Sequence, residues 1–151
     1  MRKIGIVLLF AIVAGCNKGP SPEEQLTEDI SIIQEYVDNK GWSATKTASG
    51  LHYVVDVEGT GNQPAPDDNV KVRYTGYFTN DEQFDQSDES GVTFNLQQVI
   101  QGWTEGIPKF KEGGKGKLLI PSALAYGEEG NSSVPPNTVL IFDVELLEIV
   151  N

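Results

Sequence analysis

Histidine and cysteine, the side chains that most often carry nucleophilic or metal chemistry, occur once each in this sequence, as His52 and Cys16. With no second histidine, and no cysteine beyond Cys16 at the end of the N-terminal apolar run, a zinc site cannot be assembled and no Cys–His pair is expected. His52 reads as an exposed strand residue. Gly113-Gly114-Lys115-Gly116-Lys117 has the look of a phosphate-binding loop, but it runs into a strand and carries no Ser or Thr after its lysine, so it reads as a turn. The acidic stretch Asp81–Glu89 lacks the glycine and the terminal bidentate glutamate of a calcium loop. No metal or cofactor is therefore expected. These three signals fail, and any functional groups belong to another pattern.

The elements that would position such groups follow from the hydrophobic pattern. Ser21 can cap a helix whose first position suits Pro22, and Glu24 completes a capping box. Leu26, Ile30, Ile33 and Val37 recur at helical spacing, with Ile32 and Tyr36 widening the stripe, and Gly41 ends it. This amphipathic helix either packs on its own domain or serves as a spacer or homodimer contact. From Leu51 the period changes to that of strands: Leu51–Glu58 alternates, Gly59–Gly61 turns, and Lys117–Ile120, Val70–Phe78 and Val139–Leu147 are further strand candidates. Val99, Trp103 and Ile107 fit one face of a short helix. Several strands without βαβ spacing imply an α+β domain with an antiparallel sheet.

The chain's 151 residues, at 38% hydrophobic, leave room for one ordinary core. Its formal net charge of −11 argues against nucleic acid and anionic lipid headgroups as partners, because both are gripped through clustered Lys and Arg. At the start, Arg2 and Lys3 precede an apolar run from Ile4 to Ala14 that is too short to span a bilayer comfortably. Val13-Ala14-Gly15-Cys16 resembles a bacterial lipobox. The expected organisation is a lipoprotein signal peptide over 1–15, a lipidated tether and amphipathic helix over 16–49, and the folded domain over 50–151. Cys16 would carry the lipid, placing the protein in the cell envelope, in the periplasm or at the outer membrane.

Four separated groups of residues share a further resemblance. They are Val72-Arg73-Tyr74-Thr75-Gly76; Phe84-Asp85-Gln86-Ser87; Val99-Ile100-Gln101-Gly102-Trp103-Thr104-Glu105-Gly106; and Ala125-Tyr126-Gly127 with Pro135-Pro136 and Phe142-Asp143-Val144-Glu145-Leu146. In order and spacing they resemble the FK506-binding protein family of peptidyl-prolyl cis-trans isomerases across nearly all of residues 50 to 149. The resemblance implies a sheet of about five strands wrapped around a short helix, with a pocket between them. Trp103 would be its floor, Tyr74, Phe94, Val99, Ile100 and Phe142 its walls, and Phe84, Asp85, Tyr126 and Val134 would complete it.

The activity so implied is rotation about X-Pro bonds, with no cofactor. The resemblance gives the Tyr126 hydroxyl to a substrate carbonyl, the Ile100 amide to a neighbouring carbonyl, and Asp85 to the electrostatics of the wall. Proline-containing proteins, above all exported ones that must fold in the envelope, would be the substrates, and macrolides of the FK506 type a second ligand class. The sequence departs from the pattern where Asp88, Glu89 and Ser90 replace basic residues, at Leu124, and in the short Glu128–Val134 loop with its Asn131. Those changes motivate an alternative, in which the pocket only binds proline segments as a chaperone or scaffold subunit.

Overall fold

The computed structural model describes residues 18–150, so the leader and Cys16 lie outside the described residues. Helix α1 spans Pro22–Lys40 and is closed at both ends by the residues the sequence offered. Glu24 and Ser21 exchange the two capping bonds, and Gly41 adopts the left-handed conformation (φ 68°) that ends the helix. Seven strands follow: β1 (Thr45–Lys46), β2 (His52–Val57), β3 (Asn69–Tyr77), β4 (Gln83–Gln86), β5 (Val92–Asn95), β6 (Lys115–Ile120) and β7 (Leu140–Val150). Helix α2, Gln101–Gly106, lies between β5 and β6 and runs on into a 3₁₀ turn, Ile107–Lys109.

The strands form one antiparallel sheet in the order β1-β2-β6-β7-β3-β4, with β5 also paired to β3. β3 pairs with β7 along its whole length, while its other edge is shared: β5 pairs with Asn69–Val72 and β4 with Thr75–Tyr77. The expected strands are all present. Three short strands are additional: β1 before Leu51, β4 within the acid-rich stretch Asp81–Glu89, and β5 just after it.

Both faces of the central strands are covered. Leu118 and Ile120 of β6 and Leu140, Phe142, Val144 and Leu146 of β7 point into the main core with Trp103, Ile107 and Phe110. Leu119 and Ile141, one residue out of phase, point the other way and meet Ile33, Tyr36 and Val37 of α1. That two-sided burial explains the unbroken apolar run of Leu118-Leu119-Ile120. The apolar stripe of α1 thus packs on the sheet of its own chain, and burying Ile33 and Val37 stabilises the assembly by about 1.5–3 kcal/mol each.

One expectation is corrected. His52 is not exposed but 2% accessible, because it shares the Val54 face of β2 and α1 covers that face. Its Nδ1 lies 2.9 Å from the Gly50 carbonyl, which can only accept, so Nδ1 carries the proton.

Candidate active site

The short helix α2 is brought unusually close to the sheet by two glycines spaced i and i+4, which therefore share a face. A β-carbon on Gly102 would collide with Ile120, and one on Gly106 would stand 2.6 Å from a methyl of Leu118. Only glycine permits this approach. It seats Trp103 at the bottom of a cavity, 4% exposed and surrounded edge-on by three rings: Tyr74 at 5.0 Å, Phe94 at 5.4 Å and Phe142 at 5.4 Å between centroids. All three crossings are near perpendicular, the arrangement that aromatic quadrupoles favour. Gly76 opposite is similarly constrained, since a β-carbon there would stand 2.7 Å from Phe84 and 3.0 Å from Phe142.

The cavity above Trp103 has a volume of about 450 Å³. It is walled by Tyr74 of β3, Phe84 and Asp85 of β4, Phe94 of β5 and Phe142 of β7, with Val99 and Ile100 at the entry to α2 and Tyr126 on the loop after β6. Nine of the ten pocket residues expected from the sequence are brought together here. The tenth, Val134, is not on the cavity wall: it is 2% exposed and packed in the core below. Asn131 is responsible, because its side chain accepts from the Ser133 and Val134 amides at 2.8 Å each and folds the short loop back so that Val134 turns inward. Gln98 is a wall residue that sequence reasoning missed. A glutamine between Gln97 and an apolar pair carries no chemical signal, and its place is set by a turn in which its amide bonds to the Asn95 carbonyl.

The polar groups of the site are few. The Tyr74 hydroxyl donates to Asp85 Oδ2 at 2.9 Å, and burial, reinforced by this bond to a carboxylate, pushes its pKa up to about 12. Asp85 Oδ1 accepts from the Gln86 amide at 2.8 Å. Among the described residues no Lys or Arg pairs with Asp85. Arg73, the nearest basic residue in sequence, reaches instead to Glu145 and to the Glu89 carbonyl. Tyr126 is 40% exposed, the most accessible aromatic of the wall.

Ile100 is the N-cap of α2 with extended backbone (ψ 147°), and its carbonyl accepts from the Trp103 and Thr104 amides. Its own N–H, like the Tyr126 hydroxyl, has no acceptor among the described residues. The Trp103 indole nitrogen is buried and likewise without a partner among them. An unmade bond of that kind costs about 1–3 kcal/mol, which a core selected for stability alone avoids. Chemically, the arrangement is an aromatic cup with donors on its wall that have no acceptor among the described residues. It can hold a small apolar ring and orient the carbonyls on either side of it.

Comparison with known proteins accords with this geometry. Residues 60–147 match the family described as FKBP-type peptidyl-prolyl cis-trans isomerase. The chain is 53% identical over 131 residues to the FKBP-type peptidyl-prolyl cis-trans isomerase FkpA of Aeromonas hydrophila, covering 84% of this chain and 49% of the relative. Among solved structures, a peptidyl-prolyl cis-trans isomerase of Pseudomonas syringae superposes with a TM-score of 0.75 at 31% identity, covering 89% of this chain and 99% of that one. FkpA from Escherichia coli superposes with a TM-score of 0.73 at 38% identity, covering 84% and 62% respectively. The chain spans about half the length of the curated relatives it matches. With the fold and the sequence frame both shared, the chain belongs to the FKBP-type peptidyl-prolyl cis-trans isomerase family.

Proposed function

We propose that this chain is a peptidyl-prolyl cis-trans isomerase that assists the folding of exported proteins from an anchored position in the bacterial envelope. The barrier it has to lower is the resonance of the X-Pro amide, about 18–20 kcal/mol, and no bond has to be made or broken. A catalyst of this rotation must favour the twisted amide over either planar form. In the twisted form nitrogen and carbon are no longer conjugated, so the amide is less polar than in the plane and loses less on leaving water. The cup over Trp103 receives the prolyl ring. The Ile100 amide and the Tyr126 hydroxyl hold the flanking carbonyls, and Asp85, fixed by Tyr74, sets the charge of the wall facing the carbonyl of the rotating bond. Macrolides of the FK506 type, whose pipecolyl ring is a six-membered analogue of proline, are a second ligand class for the same cup.

The observation that carries this reading is the pairing of an aromatic cup with two donors that have no acceptor among the described residues. The envelope location is supported by the basic start, the apolar run and the small residues before Cys16. The test is the catalysed cis-to-trans rate on a proline peptide and the refolding rate of a proline-limited protein. Wild type should accelerate both. Phe142→Ala should lose most, with a stability cost of about 3–5 kcal/mol that requires a folding control. Asp85→Asn and Tyr126→Phe keep the shape and should lose less. A wild type that binds proline peptides without accelerating rotation would instead be a binding module, a reading favoured by the missing cation beside Asp85.

A further inference from the structure

Asp29 is completely buried, although it lies on α1 and far from the cavity in sequence. One of its oxygens, Oδ2, accepts two bonds from a single residue, the Ser122 amide at 2.7 Å and the Ser122 hydroxyl at 2.5 Å. The other, Oδ1, accepts from Gln25 one turn earlier at 2.8 Å. Ser122 opens the 3₁₀ turn Ser122–Leu124, so its amide has no partner within that turn and the carboxylate supplies one. The Ser122 carbonyl then accepts from the amides of Ala125 and Gly127, each at 2.9 Å. Those two residues flank Tyr126. A continuous relay of hydrogen bonds therefore runs from the helix, through one serine, to both sides of the most exposed aromatic of the pocket wall.

A buried carboxylate with charge-assisted bonds is costly to maintain unless every lone pair is engaged. A small polar or apolar residue would let α1 pack on the sheet equally well through Ile33, Tyr36 and Val37. We propose that Asp29 is a positioning residue for catalysis: it fixes the Tyr126 loop from the outer helix, so that α1 is a working part of the pocket. This rests on the isomerase reading above. Leu124 and Ala125 pack on the main core, but beyond Tyr126 the loop is less held: Gly127 has a left-handed φ of 60° and a β-carbon there would meet nothing. Among the described residues, backbone bonds from Gly130 to the Tyr126 carbonyl and from Asn137 to the Gly127 carbonyl tie it further.

The test combines activity with amide hydrogen exchange on the full chain. Asp29→Ala should lower kcat/KM on a proline peptide about tenfold, the scale of a catalytic group displaced by a fraction of its reach. Asp29→Asn retains an acceptor toward Ser122 and should stay within about twofold of wild type. Ile33→Ala, a helix variant that destabilises without touching Ser122, should keep full activity below its unfolding transition. In a Tyr126→Phe background Asp29→Ala should cost little more, because both act through the same hydroxyl. The Gly127 amide should exchange faster in Asp29→Ala and not in Asp29→Asn or Ile33→Ala.

Wild-type activity in a folded Asp29→Ala, or a loss fully additive with Tyr126→Phe, would overturn the proposal. If Asp29→Ala does not fold, Ser122→Ala, which removes one of the two bonds, should show the same pattern in smaller measure, and its absence would overturn it equally. A wild type with no isomerase activity would remove the isomerase reading, while unchanged Gly127 exchange would remove the positioning role on its own.

Discussion

Tyr74 and Asp85 sit on adjacent strands, β3 and β4, two residues apart in register and so on one face, and meet at 2.9 Å through a bond in which the phenol donates and the carboxylate accepts. The bond closes one side of the cavity and substitutes for the basic partner that Asp85 lacks. Its consequence is a phenol that keeps its proton well past the usual value of 10.0, up to about 12. An NMR titration of the Tyr74 ring carbon should therefore show no transition near pH 10. A transition at the ordinary value would mean that the pair is broken in solution. Asp85→Asn removes the charge and should bring the transition down.

Glycine at 106 sets the depth of Trp103 and can be tested apart from any polar group. Gly106→Ala places a methyl 2.6 Å from Leu118, a clash relieved by turning the buried Leu118 side chain or by shifting α2. The expected cost is about 1–3 kcal/mol in denaturant unfolding, together with a changed Trp103 fluorescence maximum as the indole moves. An unchanged spectrum and midpoint would show that the helix has slack.

His52 gives a pH dependence with a definite sign. Burial holds its pKa below the ordinary 6.5, against a smaller opposing effect from the bond to Gly50. Between the lowered folded value and 6.5 the unfolded chain binds more protons, so stability is full above 6.5 and is lost as the pH falls through the folded value. Thermal midpoints should decline from neutral pH to about pH 5, before the carboxylates begin to titrate. His52→Asn, which can still donate to Gly50, should flatten that slope. Equal slopes in the two proteins would assign the decline to other groups.

The anchor is tested chemically. Expressed from its own leader in a bacterium that processes lipoproteins, the protein should yield a mature N-terminal peptide beginning at Cys16 and carrying acyl chains by mass spectrometry. Cys16→Ser should abolish the modification and release the protein from the membrane fraction. A mature chain with a free Cys16, or one cut elsewhere, would overturn the anchored reading.

Much of this was legible before any coordinates. Helix α1 was bounded by its capping box and its terminal glycine, and the central strands by their apolar runs, because those signals are local. The pocket aromatics were legible only jointly, through the family resemblance, since any one of them alone looks like ordinary core. The failures share a cause. His52 was placed on the wrong side of the water boundary because strand alternation shows that two faces differ, and not which of them a distant helix will cover. Val134 was assigned to the wall because the Asn131 turn that rotates it inward depends on backbone bonding within a loop. β1, β4 and β5 were missed because they are only two to four residues long and are specified by pairing with β2 or β3 rather than by their own composition.

The position of β7 has a consequence for how this chain reaches its native state. It is hydrogen-bonded to β3 on one side and β6 on the other, with Asn69 opposite Val150 and Lys115 opposite Glu145. The two halves of the sheet, β1-β2-β6 and β3-β4-β5, have no other strand between them. Until this last strand docks, Val70, Val72, Leu118 and Ile120 have no continuous surface to close against, and the cup over Trp103 lacks Phe142. Contacts so distant along the chain form slowly, and the waiting intermediate offers two unpaired strand edges to neighbours. Maturation is therefore governed from the far end of the sequence. A chain whose residues 140–150 are still withheld leaves β1-β2-β6 and β3-β4-β5 unjoined, with neither half closed against the other.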